Sequence, residues 1–179
     1  ENSLLFNPDY IDLNNLINQI NKLKPKHVLE LGGGQSTYAL IYALTALEKK
    51  GHNFTFTTID QSEKYLEETK KNIPSLYHDK INFISSSLKV EIEQGELMSF
   101  FNNIPDKPYD FVYEDRCDHV KTKIAGDILR LEKKAIENGR KFSFTLDAMT
   151  ATRDSLKKLL KRKYTVSGAS IHGINFVQK

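Results

Sequence analysis

A run of three glycines between an apolar segment and a polar one constrains the fold of this chain more than any other feature. Residues 28–34 read VLELGGG and are followed by Gln-Ser-Thr at 35–37. Glycine has no Cβ and adopts positive φ easily, so the backbone can turn sharply there and lie against a ligand. If a helix follows the turn, its free N–H groups favour polar or anionic ligand groups. We therefore predict that a small nucleotide-like molecule binds at this turn.

The residues around the glycines argue against a dinucleotide site. The motif G-x-G-x-x-G needs a third glycine, which lets the helix pack close to the strand. With Gly32 and Gly34 as the first two glycines, Thr37 occupies the third position. Glu30 precedes the first glycine by two residues, and it would repel a pyrophosphate but suits a ligand that carries a positive charge.

A second acid follows the next predicted strand. The segment 54–59 is β-branched and aromatic, as buried strands are, and it ends at Asp60. A carboxylate at the tip of a second strand can accept hydrogen bonds from both hydroxyls of a ribose. The alternative is that Asp60 caps the amphipathic helix that opens at 61–63.

Apolar patterning predicts helices and strands that alternate along the chain. The predicted helices are 9–23, 36–50, one opening at 61–63, 89–101, one from about 118 through 135, and one after 146; the predicted strands are 27–31, 54–59, 81–85, 109–113, 141–146 and two within 164–179. This alternation predicts an α/β fold with a doubly wound, mostly parallel sheet and helices on both faces. The 179 residues suffice for one core, so we expect a single domain over 1–179, with an N-terminal helix in 1–23 and a ligand-binding core over 24–179.

The segment 30–34 resembles the first motif of the class I S-adenosylmethionine-dependent methyltransferases, E/D-x-G-x-G-x-G, with Ser36 at the place of the third glycine. The resemblance extends over 24–179 and implies a seven-stranded Rossmann-like sheet that closes with an antiparallel hairpin. It also implies S-adenosylmethionine as the cofactor. Glu30 would then lie near the methionine amino end, the glycines beneath the ribose and sulfur, and Asp60 on the ribose. The cofactor-binding residues implied in this way are Glu30, Gly32, Gly33, Gly34, Ser36, Thr37, Asp60, Gln61, Ser86, Ser87 and Glu114.

Two of these positions depart from the family pattern. Many members carry an acid after the third strand that accepts from the adenine amino group, whereas this chain has Ser86 and Ser87. Either serine can accept the same hydrogen bond more weakly, and the alternative is a turn that caps the following helix.

The loop after the fourth predicted strand carries the candidate catalytic residues. Residues 109–115 look like the D-x-V/I-F-I-D-G-D-H segment of the small-molecule O-methyltransferases related to catechol O-methyltransferase. Asp115 matches the strand-four Asp of that group, and Asp118-His119 matches its Asp-His pair with one extra residue between. Glu114 stands where that group has an apolar residue. Either Asp115 or His119 is expected to take the proton from an acceptor hydroxyl, with a surface histidine as the alternative for His119.

A metal ion is not expected. In the metal-dependent members the strand-four Asp joins an Asp-Asn pair after strand five to hold magnesium, which needs clustered oxygens. The corresponding pair in this chain is Asp147-Ala148, and Ala148 has no side-chain ligand.

Charge and composition bear on partners and location. From residue 150 onward there are seven basic residues and one acid, which we interpret as the solvated face of an amphipathic helix rather than a nucleic-acid surface. No apolar run approaches a membrane span, and the single cysteine excludes an intramolecular disulfide, so we expect a cytoplasmic protein. The expected partner is a small-molecule methyl acceptor. An RNA methyltransferase, an aminopropyl transferase and a non-catalytic cofactor-binding protein are alternatives, and the oligomeric state is open.

Overall fold

A computed structural model describes residues 9–116, 124–147, 150–168 and 173–179, without the side chains of 150–153. The helices are α1 (Tyr10–Leu23), α2 (Gln35–Glu48), α3 (Glu63–Lys71), α4 (Gly126–Glu137) and α5 (Thr150–Leu159), with a 3₁₀ segment at Ser75–Lys80. The strands are β1 (His27–Leu31), β2 (Thr55–Asp60), β3 (Ile81–Ser85), β4 (Leu88–Glu93), β5 (Glu96–Phe101), β6 (Phe111–Glu114), β7 (Ile124–Ala125), β8 (Ser143–Leu146), β9 (Tyr164–Ser167) and β10 (Ile174–Gln178).

Seven of these strands form one sheet in the order β3-β2-β1-β6-β8-β10-β9. The strands from β3 to β8 in that order pair in parallel, and β10 is antiparallel to both neighbours. This confirms the predicted doubly wound sheet and its closing antiparallel hairpin. The chain runs outward from β1 to β3 on one side and from β6 onward on the other. The carboxyl ends of β1 and β6 therefore flank the topological switch point, where α/β proteins bind ligands.

Helices cover both faces of the sheet, as predicted. On one face, Leu16 of α1 and Leu40 of α2 pack with Val28 of β1. On the other face, Ile128 of α4 and Leu156 of α5 join a second apolar cluster. Leu156 is fully buried, whereas Lys157 and Lys158 beside it are exposed, so the described part of α5 is amphipathic.

The helix predicted over 89–101 is wrong, because this segment forms a β-hairpin of β4 and β5. Its residues alternate between apolar and charged in β4, a period of two that is typical of a strand. Gln94 and Gly95 at the tip have φ of 54° and 81°, as a two-residue hairpin turn requires. The short strand β7 pairs with β5 and completes a second, three-stranded sheet.

The helix predicted from about residue 118 is also only partly correct. Residues 117–123 lie outside the described part of the chain, and α4 begins at Gly126, directly after β7. None of the described helices is long and apolar enough to cross a membrane.

Candidate functional site

The glycine loop follows β1 and leads directly into α2. Gly32 has a φ of +98°, and its N–H donates to the carbonyl of Ile59 in β2 at 2.8 Å. A Cβ at Gly32 would lie 2.5 Å from the backbone oxygen of Asp115 and 2.7 Å from the nitrogen of Arg116. Only glycine fits there, because the peptide that follows β6 lies directly against the loop.

Glu30 is fully buried and fastens the start of α2. Its carboxylate accepts hydrogen bonds from Ser36 Oγ at 2.7 Å and from Thr37 Oγ1 at 2.6 Å. Thr37 Oγ1 in turn accepts from the N–H of Gly34 at 3.0 Å. Burial raises the pKa of Glu30 to about 7, against the effect of the two hydroxyl donors. The structure thus brings together four residues predicted to bind the cofactor, and they hold the loop in one conformation.

Asp60 ties the glycine loop to the tip of β2. Its Oδ2 accepts from the N–H of Gly33 at 3.1 Å, and its Oδ1 accepts from the N–H of Ser62 at 2.8 Å. Ser62, not Asp60, is the N-cap of α3, since its hydroxyl accepts from the N–H of Tyr65. The helix-capping alternative for Asp60 is therefore wrong. Burial raises the pKa of the Asp60 carboxyl.

Space remains beside the loop at Gly34. The atom nearest to an added Cβ there is the hydroxyl oxygen of Tyr65, at 3.7 Å. Gln61 follows Asp60 directly and is half-buried. A Cβ-sized group therefore fits beside the backbone at Gly34.

Ser86 and Ser87 follow β3 at the same edge of the sheet. The backbone N–H of Ser86 donates to the carbonyl of Asp60 at 2.9 Å. The Ser86 hydroxyl accepts from the N–H of Asn103 at 2.9 Å, and the Ser87 hydroxyl accepts from Asn102 at 2.8 Å. The alternative that these serines cap a helix is wrong, because a strand follows them.

A buried ion cluster lies at the end of β6. The guanidinium of Arg116 donates to Glu114 at 2.5 and 2.9 Å and to Asp127 at 2.6 Å. All three side chains are at most 4% exposed, and Arg116 also stacks over the ring of Phe101. Burial raises the pKa of Glu114 despite the charge of Arg116. The Glu114 carboxylate, predicted to bind the cofactor, thus lies in an ion pair.

The sequence did not predict that Arg116 and Asp127 would pair with Glu114 in a buried ion cluster. The signal was Glu114 itself, since a carboxylate in an otherwise apolar strand must have a cationic partner when it is buried. Which of the many basic residues would provide that charge depends on tertiary contacts.

Asp115 meets Asp147 at the ends of the adjacent strands β6 and β8. Glu114 and Leu146, the residues just before them, lie opposite each other in the strand pairing, so the two acids are neighbours. Burial raises the pKa of Asp115 well above its ordinary value, and the charge of Asp147 raises it further. The backbone supports both residues, because Asp115 N–H donates to Leu31 O at 2.8 Å and Asp147 N–H donates to Glu114 O at 2.9 Å. In its ionised form the Asp115 carboxylate can accept a proton from another group.

Two residues on which predictions rest are not placed. His119, the second candidate base, and Ala148, which argues against a metal, lie outside the described residues. Within the described ranges, no group of three or more His, Cys, Asp or Glu side chains could hold a metal ion.

Comparison with known proteins establishes the fold. No protein-family model and no curated protein matches the chain. Among solved structures, an O-methyltransferase from Bacillus cereus in complex with SAH is similar at a TM-score of 0.61 and 16% identity, over 97% of this chain and 83% of that one. An SAH-bound methyltransferase from Podospora anserina matches at 0.57 and 14% identity, over 97% and 80%. A SAM-dependent methyltransferase from Aquifex aeolicus matches at 0.54 and 13% identity, over 96% and 93%. The chain therefore has the fold of the class I S-adenosylmethionine-dependent methyltransferases, as its glycine motif predicted.

Proposed function

We propose that this chain is an S-adenosylmethionine-dependent methyltransferase that acts on a small-molecule acceptor, at oxygen. One observation carries the proposal: Asp60 holds the glycine loop at the switch point, while the Asp115–Asp147 pair lies at the same edge of the sheet. The proposed ribose-binding acid and the proposed catalytic carboxylate thus both follow strands of the same sheet. The structures similar to this chain in fold include three methyltransferases, two of them in complex with SAH.

The residues at the loop fit a nucleoside ligand. The Asp60 carboxylate accepts from the backbone N–H groups of Gly33 and Ser62, and we propose that its remaining acceptor capacity binds the ribose. A Cβ-sized group fits beside Gly34, and Ser86 lies at the adjacent strand end, where the adenine is predicted to bind. When bound, the cofactor would supply a methyl group on a sulfonium, while the buried Glu30 carboxyl would keep the loop in place through Ser36 and Thr37.

The acceptor side is assigned to Asp115. Its raised pKa makes it a stronger base than an ordinary carboxylate, so in the ionised form it can take the proton of an acceptor hydroxyl. His119 is the other predicted base. The protein's main contribution would be positioning, which holds the acceptor oxygen in line with the methyl group.

Calorimetry on the full chain tests the cofactor assignment. We expect SAH and S-adenosylmethionine to bind and NAD not to bind. Asp60→Ala removes two charge-assisted hydrogen bonds to the ribose and should weaken SAH binding by about 2–4 kcal/mol. Asp79→Ala is the matched control, since Asp79 is an exposed carboxylate just before β3, at the opposite edge of the sheet. Equal SAH affinity in the two variants would contradict the ribose assignment.

An assay of SAH formation tests the catalytic assignment. The wild-type chain is offered small hydroxyl-bearing acceptors and, separately, RNA, so a preference for RNA would overturn the acceptor class. Asp115→Asn and His119→Ala should each lower turnover far more than SAH affinity, as expected for groups that act in the transition state. The predicted metal independence is tested by adding EDTA and then magnesium to the same assay.

A further inference from the structure

The hairpin of β4 and β5 exposes apolar side chains at its tip. Ile92 is 77% exposed, Leu97 48% and Val90 43%. Ile92 lies opposite Leu97 in the strand pairing, and Val90 is two residues from Ile92, so all three share one face. On the other face Met98 and Phe100 are fully buried against the protein. The exposed patch is therefore confined to the tip of the hairpin. Further along the same face of β4, Leu88 packs against the core.

The outer edge of this hairpin is also open for pairing. Among the described strands, β4 pairs only with β5. The two-residue turn closes on the pair Glu93–Glu96, and pairs in an antiparallel ladder alternate between hydrogen-bonded and non-hydrogen-bonded. This alternation directs the backbone N–H and C=O groups of Leu88, Val90 and Ile92 away from β5. An edge of this kind is a template for another strand.

We propose that a second copy of this chain pairs along that edge, with the two β4 strands antiparallel and centred on Val90. In this register Lys89 of each copy lies opposite the partner's Glu91. Within one chain, Glu91 already lies 2.8 Å from Lys89 Nζ and 2.6 Å from the guanidinium of Arg130. Along the paired β4 strands, the dimer would alternate two lysines and two glutamates on the face that Arg130 contacts. On the other face, Leu88 lies opposite the partner's Ile92, which covers the exposed patch.

The charge pattern selects this register. Centring the pairing on Glu91 instead displaces one strand by two residues and places two like carboxylates directly opposite each other, which is destabilising in a cross-strand pair. All charged pairs are thus attractive about Val90, whereas the register about Glu91 has a like-charge pair at its centre beside its two Lys89–Glu93 pairs. This charge complementarity distinguishes a second copy from an arbitrary extended peptide, whose charges would not be expected to complement both Lys89 and Glu91.

The interface is small, so the dimer is weak. One strand pairing and three exposed apolar side chains per copy fall at the low end of specific interfaces, which is the range of weak and transient complexes. The association should therefore depend on protein concentration. It is independent of the cofactor site, since the hairpin tip contributes none of the residues that hold the glycine loop.

Sedimentation equilibrium on the full chain tests the proposal. We expect a reversible monomer–dimer equilibrium. Val90→Pro removes an outward N–H without removing a bond to β5, and Ile92→Lys places a charge in the patch; each should weaken the dimer by about tenfold or more. Leu76→Lys is the matched control, because Leu76 is 68% exposed on the 3₁₀ segment. Circular dichroism checks that each variant is folded. A wild-type chain that stays monomeric, or a dimer that both hairpin variants leave intact, would overturn the proposal.

A mixing experiment tests the register. Lys89→Glu alone places glutamates opposite each other in the homodimer, and Glu91→Lys alone places lysines opposite each other, so each variant should be mainly monomeric. Mixed in equal amounts, the two variants restore opposite charges at both positions and should form a heterodimer at about the wild-type affinity. If the mixture stays as monomeric as the separate variants, the register centred on Val90 is refuted.

Discussion

Replacing Arg116 should destabilise the protein more than replacing any surface ion-pair residue. Arg116 is the cation between the buried carboxylates of Glu114 and Asp127, and its side chain is 4% exposed. Arg116→Met keeps an unbranched apolar side chain but leaves two buried acids without a counter-charge. Breaking one partner out of a buried pair costs about 3–5 kcal/mol, a large part of the roughly 5–15 kcal/mol that stabilises a typical domain.

Arg130 provides a matched control. It too stacks over a phenylalanine, Phe100, and pairs with two carboxylates, Glu91 and Glu93. Its side chain is 41% exposed, so solvent screens the ion pairs. Arg130→Met should therefore cost no more than about 1 kcal/mol.

Urea denaturation, followed by circular dichroism, measures both variants. The loss of unfolding free energy in Arg116→Met should be larger at about pH 8 than at about pH 5. Burial raises the pKa of Glu114 and of Asp127, so at the lower pH both acids can take up protons and no longer carry an uncompensated charge. Adding Glu114→Gln and Asp127→Asn to Arg116→Met removes both uncompensated charges and should recover more than half of the lost free energy of unfolding. Equal losses in the Arg116 and Arg130 variants, or no recovery in the triple variant, would refute the reasoning.

Two further predictions concern the glycine loop. The folded-state pKa of Glu30 is about 7, against an ordinary 4.5, so protonation of Glu30 favours the folded state. The free energy of unfolding of the wild type should therefore fall by about 3 kcal/mol, relative to that of Glu30→Gln, as pH rises from about 4.5 to about 8. Urea denaturation measures this difference. A flat difference would contradict the burial effect. Gly32→Ala places a Cβ 2.5 Å from a backbone oxygen at a φ of +98°, whereas Gly139→Ala at +63° meets nothing within 4 Å. Thermal melting should show a cost above about 3 kcal/mol for the first and only about 1–2 kcal/mol for the second, and similar costs would argue against the close approach.

The architecture could be predicted because its signals are local. The segments that become β1, β2, β3 and β6 are short apolar runs, and α2 begins directly after a glycine turn, so element type and order follow from residue patterns. The seven-stranded sheet and the closing hairpin were both confirmed. The single-domain organisation, the cofactor roles of the individual residues and the cytoplasmic location stay predictions.

The error at 89–101 also has a local cause. Leu88, Val90 and Ile92 alternate with charged residues, which favours a strand, but β5 ends in a run of apolar residues that is compatible with either structure. The turn at Gln94-Gly95 was the signal that distinguished them.

The sequence by itself determined where the candidate ligand site lies in the sheet, because Gly32, Glu30 and Asp60 lie at the ends of strands whose order their own patterns specify. Only the tertiary structure decided how the polar groups there are partnered. Arg116 reaches Asp127 across the gap between the central sheet and α4, and Asp115 meets Asp147 because β6 and β8 are neighbours, although 32 residues separate the two acids in the chain. The physical reason is that burial makes an uncompensated charge costly, so the partner is chosen by proximity in the folded state, which local patterns do not encode.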